Sequence, residues 1–179
     1  MKLKQEEFRN LTNVKSNNMI KKILLSLLVA LIILQAFRPA KNVSGDTTKD
    51  ISTLYKVPTE VQSILDRSCA DCHTNKTTYP WYSEVQPISW WLSNHVNDGK
   101  KHFNLNNFAN LRIAVQNHKL EELIDEVKEG EMPLESYTLI HTNAKLSDDE
   151  KALVTNWAQG IMDSLKANYP ADSLILKRK

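Results

Sequence analysis

Both cysteines of this 179-residue chain lie in one five-residue stretch, CADCH, which runs from Cys69 to His73. If the stretch is helical, Cys69 lies three residues before Cys72 and four before His73, so the three side chains share one face. Two thiols followed by an imidazole are the pattern of covalent haem attachment, in which the thiols bind the porphyrin and the imidazole binds the iron. The stretch therefore predicts one covalently bound haem c per chain, with His73 as the proximal iron ligand.

Other uses of a cysteine pair fit this chain less well. Two cysteines cannot supply a four-thiolate zinc site, and a mixed site needs two further histidines that the fold must bring together. A thioredoxin-like pair needs a βαβ unit, and the sequence shows no such pattern. A buried disulfide between Cys69 and Cys72, or two unpaired thiols beside a surface histidine, would give the same sequence pattern. A zinc or disulfide module without haem is therefore the third functional interpretation.

The side chain in the second axial position of the iron decides between electron transfer and small-molecule chemistry. Met132 is the predicted distal ligand, because its thioether is a soft donor and Pro133 favours an extended backbone just after a helix end. A core methionine that fills a gap beside the porphyrin would leave the same pattern. His95 is the alternative distal ligand, and a pair of histidines would give a lower reduction potential. A core histidine bonded to a backbone carbonyl or a haem propionate is the simpler interpretation of His95.

Large aromatic rings are frequent in this chain for a small domain. A flat porphyrin is well covered by flat apolar side chains, so most of these rings are expected in the core around the cofactor. Trp91, on the same predicted helix face as His95, is the residue assigned to haem packing. His102 and His118 stand among polar residues and are predicted to lie at the surface.

Apolar residues recur at helical spacing in four stretches after residue 56, and no stretch predicts a strand. One helix follows Pro58 and leads into the motif, and a second starts at Pro87. A break is predicted at NDGK, residues 97–100. A third helix ends at Gly130, and a fourth follows SDDE, residues 147–150, which is a capping-box signature. The predicted fold is therefore all-α: a small cytochrome-c-like helical domain around a covalently bound haem.

An uncharged apolar run over residues 23–37, preceded by two lysines, predicts one N-terminal transmembrane helix or export signal. No Ala-x-Ala-like cleavage site follows the run, which favours an uncleaved, single-pass signal anchor; a cleaved protein, soluble in the periplasm, is the alternative. More lysines and arginines precede the run than follow it, so the folded domain is expected on the periplasmic side of a bacterial inner membrane. A translation start at either Met1 or Met19 fits this pattern.

These features divide the chain into five predicted segments. Residues 1–18 form a cytoplasmic tail, residues 19–38 the signal anchor, and residues 39–56 a polar tether. Residues 57–168 form the haem-binding domain, and residues 169–179 a C-terminal tail. The formal net charge is only +2, and no basic stripe with interleaved aromatic residues is present, so no nucleic-acid partner is expected.

Two stretches, CADCHTNKTTYPWYSEVQPISWW and GEMPLESYTLIHTNAKLSDDE, resemble the bacterial haem-binding domain family, which contains small exported proteins related to c-type cytochromes. The resemblance covers about residues 55–165. It implies covalent haem attachment through Cys69 and Cys72, with His73 as the proximal ligand. By analogy with the Met-Pro pair of cytochromes c, the resemblance also implies Met132 as the distal ligand.

The expected function is one-electron transfer by a membrane-anchored, mono-haem c-type cytochrome domain that exchanges electrons with a redox protein. An electron carrier is expected rather than an enzyme, because no set of catalytic residues accompanies the motif. A haem enzyme or sensor, such as a peroxidase-like protein or a binder of diatomic gases, is the alternative. That alternative needs a displaceable sixth ligand on the iron.

Overall fold

The computed structural model describes residues 2–176, with side chains from residue 17 onward. Within residues 2–176 the chain is helical and contains no strand, which confirms the predicted all-α class. The α-helices are α1 (Lys2–Leu34), α2 (Thr59–Ser68), α3 (Ala70–His73), α4 (Ile88–His102), α5 (Ile113–Glu129), α6 (Glu135–Thr138) and α7 (Asp148–Asn168). Short 3₁₀ turns lie at Ile51–Thr53, Trp81–Glu84, Leu105–Asn110, Thr142–Ala144 and Ala171–Ser173.

The chain forms two compact units. The first consists of the N-terminal residues up to Ala40 together with Pro80–Leu92, and the second of Lys41–Tyr79 together with the chain from Ser93 onward. In the first unit, residues 17–34 of α1 have a mean hydropathy of 1.8, and none of this stretch is buried. By length and composition this helix could cross a membrane, and a signal sequence has the same features.

The core of the second unit lies where α2 and α5 pack against α7. Each helix contributes one apolar stripe, because its apolar residues recur every three or four positions. The buried residues of these stripes are Val61, Ile64 and Leu65 of α2, Leu120, Ile124 and Val127 of α5, and Val154, Ala158, Ile161 and Leu165 of α7. The stripe on α2 holds the start of the CADCH stretch against this core.

Local signals end one helix and begin another as predicted. Gly130 follows α5 with a φ of 82°, a left-handed conformation that favours glycine. At the start of α7, Ser147 Oγ accepts a hydrogen bond from the Glu150 amide at 3.3 Å. Glu150 Oε2 accepts one from the Ser147 amide at 2.9 Å, which completes the capping box.

The predicted break at residues 97–100 is wrong, because α4 continues through them to His102. Gly99 is needed there for a different reason. A Cβ atom on Gly99 would lie 2.6 Å from the backbone oxygen of Cys72, so glycine is what lets α4 approach the motif this closely. The glycine marks a contact between distant parts of the chain rather than the end of a helix.

Parts of the predicted tether and C-terminal tail belong to the second unit. The side-chain amide of Asn42 donates to the Thr74 carbonyl at 2.8 Å, and its backbone N–H donates to the Tyr79 hydroxyl at 2.7 Å. Ile51 and Leu174 are only 2% and 9% exposed, and both belong to the apolar core. These segments therefore add to the folded unit outside the predicted bounds of the haem-binding domain.

Candidate cofactor-binding site

A mostly apolar cavity of about 620 Å³ lies in the second unit and is lined by residues from α2 to α7. This volume falls within the range of about 300–1,000 Å³ that is typical of small-molecule sites. The sulfur-containing and imidazole side chains that line it are Cys69, Cys72, His73, His95, His102 and Met132. The fold therefore brings five of the six predicted site residues to one cavity. His102 is exposed, as predicted, and also lines this cavity.

The CADCH stretch forms a helical turn at the wall of this cavity. Cys69 stands between α2 and α3 with φ and ψ of −124° and −32°, so the chain changes direction at this residue. The Cys69 carbonyl then accepts hydrogen bonds from the amides of Cys72 at 3.2 Å and His73 at 2.9 Å. This turn places both sulfur atoms and the imidazole on the same cavity, as the spacing of three and four residues predicts.

The two cysteines are free thiols, and burial makes them poor thiolates. Burial raises the pKa of Cys69 to about 12, and the neighbouring Cys72 adds to this shift. Burial also raises the pKa of Cys72 to about 11, with a further contribution from the negative charge of Asp71. A thioredoxin-like pair has a lowered thiol pKa, so the environment of these cysteines disfavours that chemistry.

His73 is oriented by a backbone carbonyl. Its Nδ1 lies 2.7 Å from the Phe103 oxygen, and because a carbonyl only accepts, Nδ1 carries the proton and donates. Burial holds the pKa of His73 below its usual range, although hydrogen bonds to the Phe103 and Gly99 carbonyls oppose this shift. The neutral ring therefore keeps an unprotonated Nε2 that can bind a metal, and a donor bond from the other ring nitrogen is typical of metal-ligating histidines.

The end of α4 fixes the carbonyl that orients His73. The Phe103 amide donates to the Gly99 carbonyl at 2.8 Å, so the helical path continues to the residue that accepts from His73. The Phe103 ring makes edge contacts with the His73 ring at 6.0 Å and with the Phe108 ring at 5.8 Å between centroids. Because Phe108 is fully buried, this row of rings connects the imidazole to the apolar core.

The segment that contains Met132 is attached to the motif by a side-chain hydrogen bond. The Met132 amide donates to the Glu126 carbonyl at 3.1 Å, which holds the segment to the last turns of α5. Farther along, the Tyr137 hydroxyl donates to Asp71 Oδ2 at 2.8 Å, and the Tyr137 ring stacks on His141 at 4.3 Å. Asp71 lies between the two cysteines, so its carboxylate links the Met132 segment to the turn that carries His73.

The remaining predicted residues lie on α4. His95 is half-buried, lines the cavity, and is one helical turn before Gly99. Trp91 belongs to the first unit and is 46% exposed, and its packing against a haem stays a prediction.

Three residues that shape the site were not identified from the sequence. Asp71 and Tyr137 are 66 positions apart, and nothing in the local pattern of either residue predicts their contact. Gly99 left a signal, because a glycine inside an amphipathic pattern often marks close packing as well as a helix end. Among residues 17–176, whose side chains the structure describes, no group of three or more His, Cys, Asp or Glu side chains is arranged to hold a metal ion.

Comparison with known proteins gives one match. The model of a family described as a haem-binding domain matches residues 29–160, which is most of the chain and includes the whole CADCH stretch and Met132. No curated protein and no solved structure matches the chain.

Proposed function

The chain belongs to the haem-binding domain family, and on that premise we propose that its haem is a covalently attached haem c that transfers single electrons. One observation carries the proposal: two free thiols, an imidazole with an available Nε2 and a thioether all line one cavity. When bound, the haem supplies an iron atom that changes its charge by one electron. Cys69 and Cys72 would hold the porphyrin, and His73 would bind the iron.

Met132 is the proposed distal ligand because of where the competing histidine lies. The Gly99 and Phe103 carbonyls approach His73, and Gly99 packs against Cys72, so this part of α4 belongs to the proximal side. His95 is one turn before Gly99 and shares its helix face. A second residue that holds the iron would have to reach it from the side away from His73, so this position supports Met132 over His95.

The surroundings of the cavity support electron transfer over small-molecule chemistry. If His73 and Met132 both held the iron, no position would remain open for a substrate. Apolar residues from several helices line most of the wall, including Leu65, Leu123 and Val127. A largely apolar wall and a methionine ligand would both favour a higher reduction potential than that of a bis-histidine site.

We further propose that α1 anchors the protein to the inner membrane with the second unit in the periplasm. The support is the exposed apolar surface of residues 17–34 and the excess of basic residues before the apolar run. A c-type haem protein on that side would exchange electrons with another redox protein. Removal of α1 by a signal peptidase would instead leave a soluble periplasmic domain with the same site.

Optical spectra of the full-length protein and two variants test the site. The oxidised wild type should be low-spin, with the weak far-red band of a sulfur-to-iron charge transfer. Met132→Ala should abolish this band, lower the potential, and let carbon monoxide bind the reduced iron. His95→Ala is the matched control, since it changes another cavity-lining residue and should preserve the band.

Two results would contradict this assignment. A Met132→Ala protein that stays low-spin, beside a His95→Ala protein that becomes high-spin, would make His95 the distal ligand. If the wild type is already high-spin and binds carbon monoxide or peroxide quickly, the result would contradict electron transfer and favour the enzyme or sensor function.

A further inference from the structure

Large apolar side chains are exposed in the shorter segment of the first unit. They are Trp81, Val85, Ile88 and Trp91, which are exposed by 81%, 39%, 39% and 46%. We call this set the apolar lip. Several large apolar side chains exposed in one short segment of a folded protein often mark a binding surface. We propose that the apolar lip inserts into the interface of the lipid bilayer beside the end of α1, an inference that rests on the proposed membrane anchor.

Hydrogen bonds attach the segment that carries the lip to the residues that follow α1. The Gln86 amide donates to Gln35 Oε1 at 3.0 Å, and the Gln86 side chain donates to the Phe37 carbonyl at 2.8 Å. Gln86 is only 1% exposed, so these bonds are shielded from water. Arg38 and Glu84 add an ion pair at 2.5 Å. The lip is therefore held at a fixed level relative to the end of the helix.

That level corresponds to the membrane surface. The candidate membrane span of 18 residues ends at Leu34. At 1.5 Å per residue such a stretch is about 27 Å long, which nearly spans a hydrocarbon core of about 30 Å. Gln35, Phe37 and Arg38 then fall among the lipid headgroups, and the residues bonded to them fall at the same depth.

The side chains of the lip have the chemistry of this interface. Tryptophan is enriched where headgroups meet acyl chains, because its ring is apolar and its indole N–H can bond to headgroups or water. Ile88 and Trp91 are three residues apart on α4 and therefore share a face. The candidate membrane span of α1, residues 17–34, is unburied and belongs to the same compact unit as the lip. This shared unit favours lipid over a protein partner.

Hydroxyl-radical footprinting of the full-length protein in nanodiscs of phosphatidylethanolamine and phosphatidylglycerol tests the proposal. Oxidation is read residue by residue by mass spectrometry and normalised to the unfolded chain. Tyr169, which is 43% exposed in the second unit, gives the reactivity of an ordinary surface aromatic. Trp81 is almost twice as exposed as Tyr169, yet we expect it to be oxidised several-fold less.

Lipids brominated along the acyl chain give a second reading through quenching of tryptophan fluorescence. Trp81→Phe should remove much of the quenching that these lipids cause. Trp157→Phe is the matched control, since its indole donates to the Lys56 carbonyl at 3.2 Å within the second unit, and it should leave the quenching unchanged.

The outcomes separate this proposal from the one on which it rests. If alkaline extraction releases the native protein from membranes, both the anchor and the lip are wrong. If the protein stays in the membrane while Trp81 remains as reactive as its 81% exposure predicts, the anchor stands and the lip is wrong. In that case the apolar surface would belong to a protein contact.

Discussion

The two sides of the cavity are held in different ways. On the proximal side, one helical turn and one backbone carbonyl fix the cysteines and His73, and Gly99 lets α4 pack directly behind them. On the side of Met132, the attachments include a backbone bond from Met132 to Glu126 and the hydroxyl bond from Tyr137 to Asp71. The proposed proximal ligand, His73, is therefore oriented by backbone groups of its own turn and of the end of α4. The segment of the proposed distal ligand is attached to the motif through a side-chain bond between Tyr137 and Asp71.

The largest effect should come from removing the thiols on the proximal side. We expect the double variant Cys69→Ala, Cys72→Ala to lose covalent haem entirely, since each thioether needs its own sulfur, and each single variant to retain it less firmly. Haem staining after denaturing electrophoresis measures this. Met132→Ala is the control, because it alters the opposite side and should keep the stain. Full staining of the double variant would exclude attachment through these residues.

A methyl group added at Gly99, where α4 contacts the CADCH stretch, should have the next largest effect, a loss of stability. In Gly99→Ala the new Cβ would lie 2.6 Å from the Cys72 oxygen, so backbone must move. Overpacking of this kind costs about 1–3 kcal/mol in the free energy of unfolding. Gly160→Ala is the matched control on α7, where a Cβ meets nothing within 4 Å, and it should stabilise by about 0.5–1 kcal/mol. Equal unfolding curves for the two variants would contradict the close contact.

Removing the hydrogen bond between Tyr137 and Asp71 should change the stability less, but it should also change the optical spectrum. Tyr137→Phe removes the hydroxyl that donates to Asp71, and a bond to a charged group contributes about 1.5 kcal/mol or somewhat more. We expect the far-red band to weaken and the potential to fall, because the Met132 segment loses its attachment. Tyr55→Phe is the matched control, since its hydroxyl donates to Gln116 at 2.7 Å. It should cost about 1 kcal/mol and leave the spectrum unchanged. Identical spectra for both variants would show that Asp71 does not position the distal side.

The smallest expected change in stability concerns the ion pair between Arg67 of α2 and Glu150 of α7. Arg67 donates to Glu150 at 2.7 Å, and the Ser147 amide and this guanidinium lower the pKa of the Glu150 carboxyl. A lowered folded pKa stabilises the protein above the unfolded value of about 4.5, and this contribution is lost as the pH falls through the folded pKa. Glu150→Gln should therefore cost less than about 1 kcal/mol at neutral pH and flatten the acid limb of stability. Asp149→Asn, in the same turn, should leave the acid limb steep. A steep acid limb for Glu150→Gln would contradict the assignment.

Sequence reasoning succeeded where a few neighbouring residues decide the structure. The capping box at Ser147 and the left-handed Gly130 are local signals, and the helix ends follow them. It failed at Gly99, because the need for glycine arises from a backbone that is 27 positions away in the chain. The bond between Asp71 and Tyr137 leaves no periodic signal for the same reason. The burial of Ile51 in the predicted tether was not predicted either. Ile51 stands among polar residues, and their hydrogen-bond partners lie far along the sequence.

The polar residues that precede Ile51 determine where the folded domain can be cut away from α1. Asn42 bonds to the Thr74 carbonyl and Gly45 to the Asn75 carbonyl, and the Asn106 side chain donates to Asp50. A cut after Thr53 would remove Asn42, Gly45 and Asp50 with their hydrogen bonds, and it would also remove Ile51 from the core. A cut before Lys41 would leave these residues in place. The smallest fragment that keeps the second unit intact should therefore begin near Lys41, and limited proteolysis from the N-terminal side should stop near that point.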